Sequence, residues 1–328
     1  MDMNYVSLGK SGLKVSEVCL GTMTFGNEAS KEESFKIMDY AYNLGINLFD
    51  TAHNYNKGET EKILGEWLGE KRKEIVLASK VFFPSEGGVN REGLSKKNII
   101  LSVEESLRRL KTDYLDILYL HHWDEHTSIE YSLEMVHTLI SQGKVLYMGL
   151  SNFSAWQIMK TIAVAKQYLY APAVCVQPMY SLIKRQVEVE ILPLAQHENL
   201  AVIPYNVLGA GMLTGKYLRG DKGRLNENQM YQQRYRNPMY AEITKRFVQY
   251  AQQKHYSPAV LSATWVKSHP AVTAILLGAR TLEQFKEVTQ CIDKKLTPEE
   301  WNEISDLSYQ PPSATDREPL EVYRVRGW

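Results

Sequence analysis

Eight times along the chain, a short run of consecutive apolar residues ends in a polar residue and gives way to a longer stretch with helical spacing. Strands that are apolar at every position, instead of at alternate ones, are buried on both faces, which marks a parallel sheet covered by helices. Eight strand–helix units in succession close into a barrel. The sequence therefore predicts an α/β fold, a (β/α)8 TIM barrel forming a single domain over residues 1–328.

The predicted barrel strands are Val18–Thr22, Asn47–Asp50, Ile75–Val81, Leu115–His121, Val145–Leu150, Val174–Gln177, Ala201–Tyr205 and Val272–Leu277. Ser30 with Glu33 opens the first helix as a capping box, and Gly45 stops it after Leu44. Thr127 with Glu130 opens the fourth in the same way, and a sixth helix is expected over Arg185–His197. Three segments are additional to the repeat. An N-terminal β-hairpin, Tyr5–Leu8 and Leu13–Val15 around Gly9–Gly12, is a candidate lid. A long loop, Gly209–Pro238, follows the seventh strand. A C-terminal helical extension starts at Thr297-Pro298-Glu299-Glu300, and the tail after it is expected to reach over the mouth.

Charge narrows the class of partner. Lys plus Arg and Asp plus Glu number 38 each, so no whole-molecule field favours nucleic acid or an anionic membrane surface. No apolar stretch approaches the roughly 20 residues of a membrane span, and the first ten residues lack a secretory pattern. A small molecule is the expected partner, with no nucleic acid and no membrane; a protein partner or a homo-oligomer stays open. Cys19, Cys175 and Cys291, odd in number and widely spaced, read as reduced buried thiols of a cytoplasmic protein.

In barrels the C-terminal strand ends and the loops after them build the site. Here they carry Thr22, Asp50, Lys80, His121, Ser151 with Asn152, Gln177, Tyr205, and Gly278 through Arg280. Three chemistries fit parts of this set. Lys80 could form a Schiff base, but a nearby Asp50 would hold its ammonium charged. His121, His122 and Asp124 could bind a metal, but adjacent strand residues face opposite ways, so no metal site is expected. Hydride transfer to a carbonyl needs a proton donor and groups that polarise the carbonyl. Tyr55 can donate if its pKa, near 10 when unperturbed, is brought down by a neighbouring Lys80. Such a pair at about 4 Å and an effective dielectric near 20 interacts by roughly 4 kcal/mol before desolvation. Asp50 would orient Lys80, and His121 would hydrogen-bond the carbonyl oxygen.

Leu20-Gly21-Thr22-Met23, Phe49-Asp50-Thr51-Ala52 with Tyr55, Ala78-Ser79-Lys80 and the Asp116–His121 run resemble the catalytic blocks of the aldo-keto reductase family. The resemblance extends over essentially the whole chain. It implies that Asp50, Tyr55, Lys80 and His121 form the catalytic tetrad, with Tyr55 as general acid and His122 as a bystander. It also implies a cofactor, NADP(H), preferred over NAD. Gly149-Leu150-Ser151-Asn152-Phe153 and Gln177 resemble the family's clasp on the nicotinamide carboxamide. Tyr205 takes the place of the aromatic residue that stacks on that ring. Leu208-Gly209-Ala210-Gly211 through Lys216 resembles the pyrophosphate loop, and Gly278-Ala279-Arg280 with Gln284 the block for the adenosine 2′-phosphate. Gly21, Thr22, Met23, Asp50 and Asn206 complete the implied cofactor contacts. Asn206-Val207 and Val288 depart from the family pattern, which often has Ser-Pro and Asn there.

Met23, Phe25, Tyr55, Phe82, Phe83, His121 and Trp123 are the expected substrate wall, suited to aldehydes or ketones with apolar or aromatic bodies. Arg219 to Arg224, with Arg234 and Arg236, reads as a solvated loop. The likeness is nearest the bacterial and potassium-channel β-subunit branch, so two functions are carried forward. One is an NADPH-dependent carbonyl reductase; the other is a nucleotide-sensing accessory subunit with incidental turnover. Oxidation of a diol or sugar is the first of these run in reverse.

Overall fold

The computed structural model describes residues 3–313 and 315. A hairpin, β1 (Tyr5–Ser7) paired antiparallel with β2 (Lys14–Ser16), precedes eight strands. These are β3 (Val18–Gly21), β4 (Leu48–Asp50), β5 (Val76–Val81), β6 (Leu115–Leu120), β7 (Val145–Ser151), β8 (Ala173–Gln177), β9 (Ala201–Val202) and β10 (Ile275–Leu277). They form one parallel sheet in the order β10-β3-β4-β5-β6-β7-β8-β9. The Thr273 N–H donates to the Val202 carbonyl at 2.9 Å and the Leu276 N–H to the Pro204 carbonyl at 3.0 Å, joining β10 to β9 and closing the ring. The architecture is a (β/α)8 barrel.

The alternation of strand side chains sorts the apolar runs into two cores. Leu48, Val76, Ala78, Ile117, Tyr119 and Cys175 fill the barrel interior. Phe49, Leu77, Val81, Leu118, Leu120 and Val176 face the helices. The same parity carries to the strand ends: Asp50 follows Leu48, Lys80 follows Ala78, His121 follows Tyr119 and Gln177 follows Cys175 on the inward side. Parallel register then brings them level, with Gly21 opposite Asp50, Lys80 opposite Tyr119 and Ser151 opposite Gln177. A layer of polar groups thus crowns an apolar plug.

Several boundaries differ from the sequence reading. β9 is shorter than Ala201–Tyr205 because Pro204 has no N–H to donate, although the Tyr205 N–H still reaches the Pro178 carbonyl at 3.0 Å. The sixth helix is split into a 3₁₀ turn, Gln186–Glu188, and a helix, Ile191–Glu198. Pro193 accounts for the break: its ring is tolerated in a first turn and would clash with a carbonyl four residues back in a continuous helix. Ser128, not Thr127, is the cap residue of the helix Ile129–Ser141. The long segment after β9 is not an open loop but a chain of tight turns and short helices, Gly209–Thr214, Lys216–Arg219, Arg224–Glu227 and Gln229–Arg234, before the long helix Pro238–Gln253.

The hairpin is not a lid over the mouth. Leu8 and Val15 pack into the barrel interior below Leu48 and Ala201, and the Tyr147 hydroxyl donates to the Ser11 carbonyl at 3.2 Å, so the hairpin stoppers the opposite end. The extension helix Pro298–Ser305, opened by the expected Thr297–Glu300 capping box, docks through Trp301, which stacks on Trp265 at 5.4 Å. The tail expected to close the mouth lies outside the described residues. Among the described residues, no helix is long and apolar enough to cross a membrane.

Candidate active site

Lys80 and Asp50 sit at the centre of the polar layer, 1% and 0% exposed, and form an ion pair. A buried charge pair persists only where its remaining donors and acceptors are met. Here they are. The Lys80 ammonium also donates to the Thr51 carbonyl at 2.8 Å and to the Tyr55 hydroxyl oxygen at 3.3 Å, and Gln177 Nε2 donates to the second Asp50 oxygen at 2.8 Å. Three ammonium protons therefore meet three acceptors.

Tyr55 comes from the turn after β4, and its ring lies 6.1 Å from the His121 ring. The structure brings Asp50, Tyr55, Lys80 and His121 together. The electrostatics of Tyr55 differ from the expectation. Burial first, then the Asp50 carboxylate, push its hydroxyl well above the ordinary tyrosine value, so the resting phenol is held protonated instead of being eased toward phenolate. Burial pushes the Lys80 ammonium down, with Asp50 opposing. His121 is driven well below the usual imidazole range by burial and then by Lys80, so the ring is neutral, and its buried Nδ1 has no partner among the described residues.

Beside this cluster, Ser151 Oγ donates to the Gln177 carbonyl at 2.9 Å. Asn152 Nδ2 donates to the His121 carbonyl at 2.9 Å, while its oxygen accepts the Tyr205 hydroxyl at 2.7 Å. Ser151, Asn152, Gln177 and Tyr205 are thus one bonded group. Thr22 Oγ1 donates to the Asp50 carbonyl at 2.9 Å, and Gly21 and Gly278 meet where β3 and β10 end. Asn206, one of the departures noted in the sequence, has φ +64° and accepts the Ala210 N–H at 2.9 Å while donating to the Tyr235 hydroxyl at 2.8 Å. It anchors the turn that runs from Leu208 through Gly209, Ala210 and Gly211, the last three all at positive φ. Successive left-handed residues of this kind turn backbone N–H groups toward one concavity.

Lys216, Arg224 and Arg280 converge there. Arg280 pairs with Glu28 and, at 3.0 Å, with Glu227; Arg224 pairs with Glu28 at 3.2 Å. Gln284 accepts the Arg280 backbone N–H at 3.1 Å. Lys216 has no carboxylate within pairing distance among the described residues, and burial followed by the charges of Arg280 and Arg224 lowers its pKa. Three cations face two carboxylates, which leaves one positive charge to spare. The excess cation, the glycine turn and the hydrogen-bonded amides suit a dinucleotide phosphate and carboxamide.

Glu28, Glu227 and Tyr231 escaped the sequence reading. Arg224 is part-buried and paired, not solvated as expected, whereas Arg219 and Arg236 are exposed. The Gly223-Arg224 step was the available signal, since Gly223 packs where a side chain would strike Lys216. On the substrate side, the Tyr231 hydroxyl reaches Met23 Sδ at 4.0 Å, and the Phe83 ring lies 5.2 Å from His121. Phe82 leans on His122 at 5.2 Å and Trp123 on Phe153 at 5.5 Å. Phe25 departs from the expectation: it is 0% exposed in the outer core, so it backs the wall without lining it.

A family model described as "Aldo/keto reductase family" matches residues 17–308. The uncharacterized oxidoreductase YrpG of Bacillus subtilis (strain 168) is 34% identical over 327 residues, covering 95% of this chain and 98% of that protein. An aryl-alcohol dehydrogenase of Pestalotiopsis microspora is 34% identical over 313 residues, covering 90% of this chain and 79% of the relative. A probable voltage-gated potassium channel subunit beta of Oryza sativa subsp. japonica is 32% identical over 328 residues, covering 96% and 99%.

Proposed function

The chain belongs to the aldo/keto reductase family and is an oxidoreductase, and on that premise we propose that it reduces aldehydes or ketones with NADPH, taking the proton from Tyr55. One observation carries this reading: Lys80 donates to the Tyr55 oxygen, so the hydroxyl keeps its own proton to give toward the mouth. Burial and Asp50 hold that proton in place at rest. Once it leaves, the phenolate lies against an ammonium, an attraction of roughly 4 kcal/mol at about 4 Å and an effective dielectric near 20. Asp50 fixes the direction of Lys80. His121, neutral, can donate one N–H to the carbonyl oxygen.

NADPH supplies the hydride. Ser151, Asn152 and Gln177 would hold its carboxamide, Tyr205 would cover the ring, and the Gly209–Gly211 turn with Lys216 and Arg280 would take the phosphates. The spare positive charge beside Arg280 supports NADP over NAD. Met23, Phe83 and Trp123 favour apolar or aromatic carbonyl compounds, and the aryl-alcohol dehydrogenase among the relatives points the same way. The three buried, unpaired cysteines suit a single-domain protein working in the cytoplasm.

Loss of nicotinamide absorbance with a panel of aromatic aldehydes tests the activity. Tyr55→Phe should cost about 10²–10⁴-fold in kcat, the usual worth of a general acid. Equal rates for the variant and wild type would sink the proton-donor role. The channel-subunit relative supports a second reading, in which nucleotide binding regulates a protein partner. Co-purification that changes with added NADPH would favour it, and association indifferent to nucleotide would count against it.

A further inference from the structure

We propose that Arg109, which lies outside the mouth on the helix Lys96–Leu110, is a positioning residue for Tyr55. The proposal rests on the reading of Tyr55 as proton donor. Tyr55 begins a turn whose next three residues are all left-handed: Asn56 at φ +46°, Lys57 at +54° and Gly58 at +85°. Residues bearing a Cβ seldom hold that conformation, and it persists only where the surroundings over-determine it. Two anchors do so here.

On one side, Asn56 Nδ2 donates to the Gly26 carbonyl and Thr60 Oγ1 to the Phe25 carbonyl, tying the turn to the loop after β3. On the other side stands Arg109. Its Nη1 donates to the His53 carbonyl at 3.2 Å, and its guanidinium lies directly beneath Gly58, where any Cβ would overlap it. One planar group therefore holds the chain two residues before Tyr55 and three residues after it.

Arg109 is itself fixed. Glu61, wholly buried, pairs with its Nη1 at 3.3 Å, and Ser85 Oγ accepts from Nη2 at 3.2 Å. The other Glu61 oxygen accepts from Ser79 Oγ at 2.7 Å. Ser79 precedes Lys80 on β5 and faces the opposite way. A continuous set of contacts thus runs from the backbone on either side of Tyr55, through Arg109 and Glu61, to the strand segment that carries Lys80. The 3.3 Å contact between Lys80 and Tyr55 is set by that chain and not by the mouth alone.

Arg109→Lys keeps the charge and loses the planar support. Gly58→Ala keeps the Arg109 side chain but sets a methyl group against its guanidinium, so turn and guanidinium must move apart. Both should lower kcat by about 10²-fold, the cost of a displacement near 1 Å, while NADPH affinity measured by fluorescence titration stays unchanged. Both should also move the alkaline limb of the kcat profile toward the ordinary tyrosine range, because the phenol loses its enclosure. Guanidinium ion added to Arg109→Ala should restore part of the rate. Wild-type kcat in both substituted proteins would overturn the proposal, as would parallel losses of kcat and NADPH affinity. If Tyr55→Phe is inactive while these variants keep full activity, only the positioning role fails. If Tyr55→Phe is fully active, the proton-donor reading fails and this proposal with it.

Discussion

His53, two residues before Tyr55, is 2% exposed, with Ser85 Oγ 2.9 Å from Nε2 and the Arg109 guanidinium 3.3 Å from Nδ1. Burial and then Arg109 depress its pKa to about 4. An unfolded histidine titrates near 6.5, so below that value the unfolded chain binds a proton that the native chain refuses. The stability contributed by neutral His53 is full above about pH 6.5 and is lost as pH falls toward 4, on the order of 3 kcal/mol. Urea midpoints across that range should fall less steeply for His53→Asn than for wild type. Tyr55 titrates at the other end. If Tyr55 is the general acid proposed above, it works below its pKa, which burial with Asp50 raises, so the rate of carbonyl reduction should hold through neutral pH and decline only above about 10. A pH–kcat profile falling below pH 8 would contradict this. Asp50, Lys80 and His121 were legible as a set because strand parity and strand ends are written in the sequence. The direction of the Tyr55 shift was not, since it depends on how much water the fold removes from the phenol.

At the scale of elements, caps were partly legible: Thr297 and Glu300 close the expected box, and Ser30 accepts the Glu33 N–H at 3.2 Å, although the Glu33 carboxylate accepts the Leu282 N–H at 2.7 Å instead of completing its box. Local chemistry of this sort needs only neighbours three residues apart. The split of the sixth helix was also written locally, in Pro193. What packs on what was not. The extension helix is held by Trp301 against Trp265, by Trp265 Nε1 donating to Ser305 Oγ at 2.9 Å, and by Arg185 donating to the Ser305 carbonyl at 2.9 Å. Trp301→Ala should therefore cost about 3 kcal/mol, seen as a lower urea midpoint with kcat unchanged. A loss of activity without loss of stability would place the helix in the site instead of behind it.

Over the whole molecule, charge is balanced in number but not in position. The Glu28–Arg280 and Glu28–Arg224 pairs span 252 and 196 residues of sequence, and only the closed barrel makes them neighbours. For that reason the cluster at the cofactor side was half visible: Arg280 and Lys216 lie in recognisable blocks, whereas Glu28 and Arg224 do not. On the proposed reading, a nucleotide phosphate arriving at Arg280 would have to displace carboxylates already there. Glu28→Gln removes one competitor, and because such part-exposed pairs are worth up to about 1 kcal/mol, NADPH should bind roughly two- to fivefold tighter. Fluorescence titration in low salt checks this, and weaker binding would show Glu28 to be a ligand-side contact.

The hairpin that stoppers the barrel has a practical corollary. Its turn presents Lys10, exposed, on the face remote from Tyr55 and Lys80. A molecule fastened to a bead or an electrode through that turn would stand with its mouth outward, so immobilisation there should leave diffusion of reactants unobstructed.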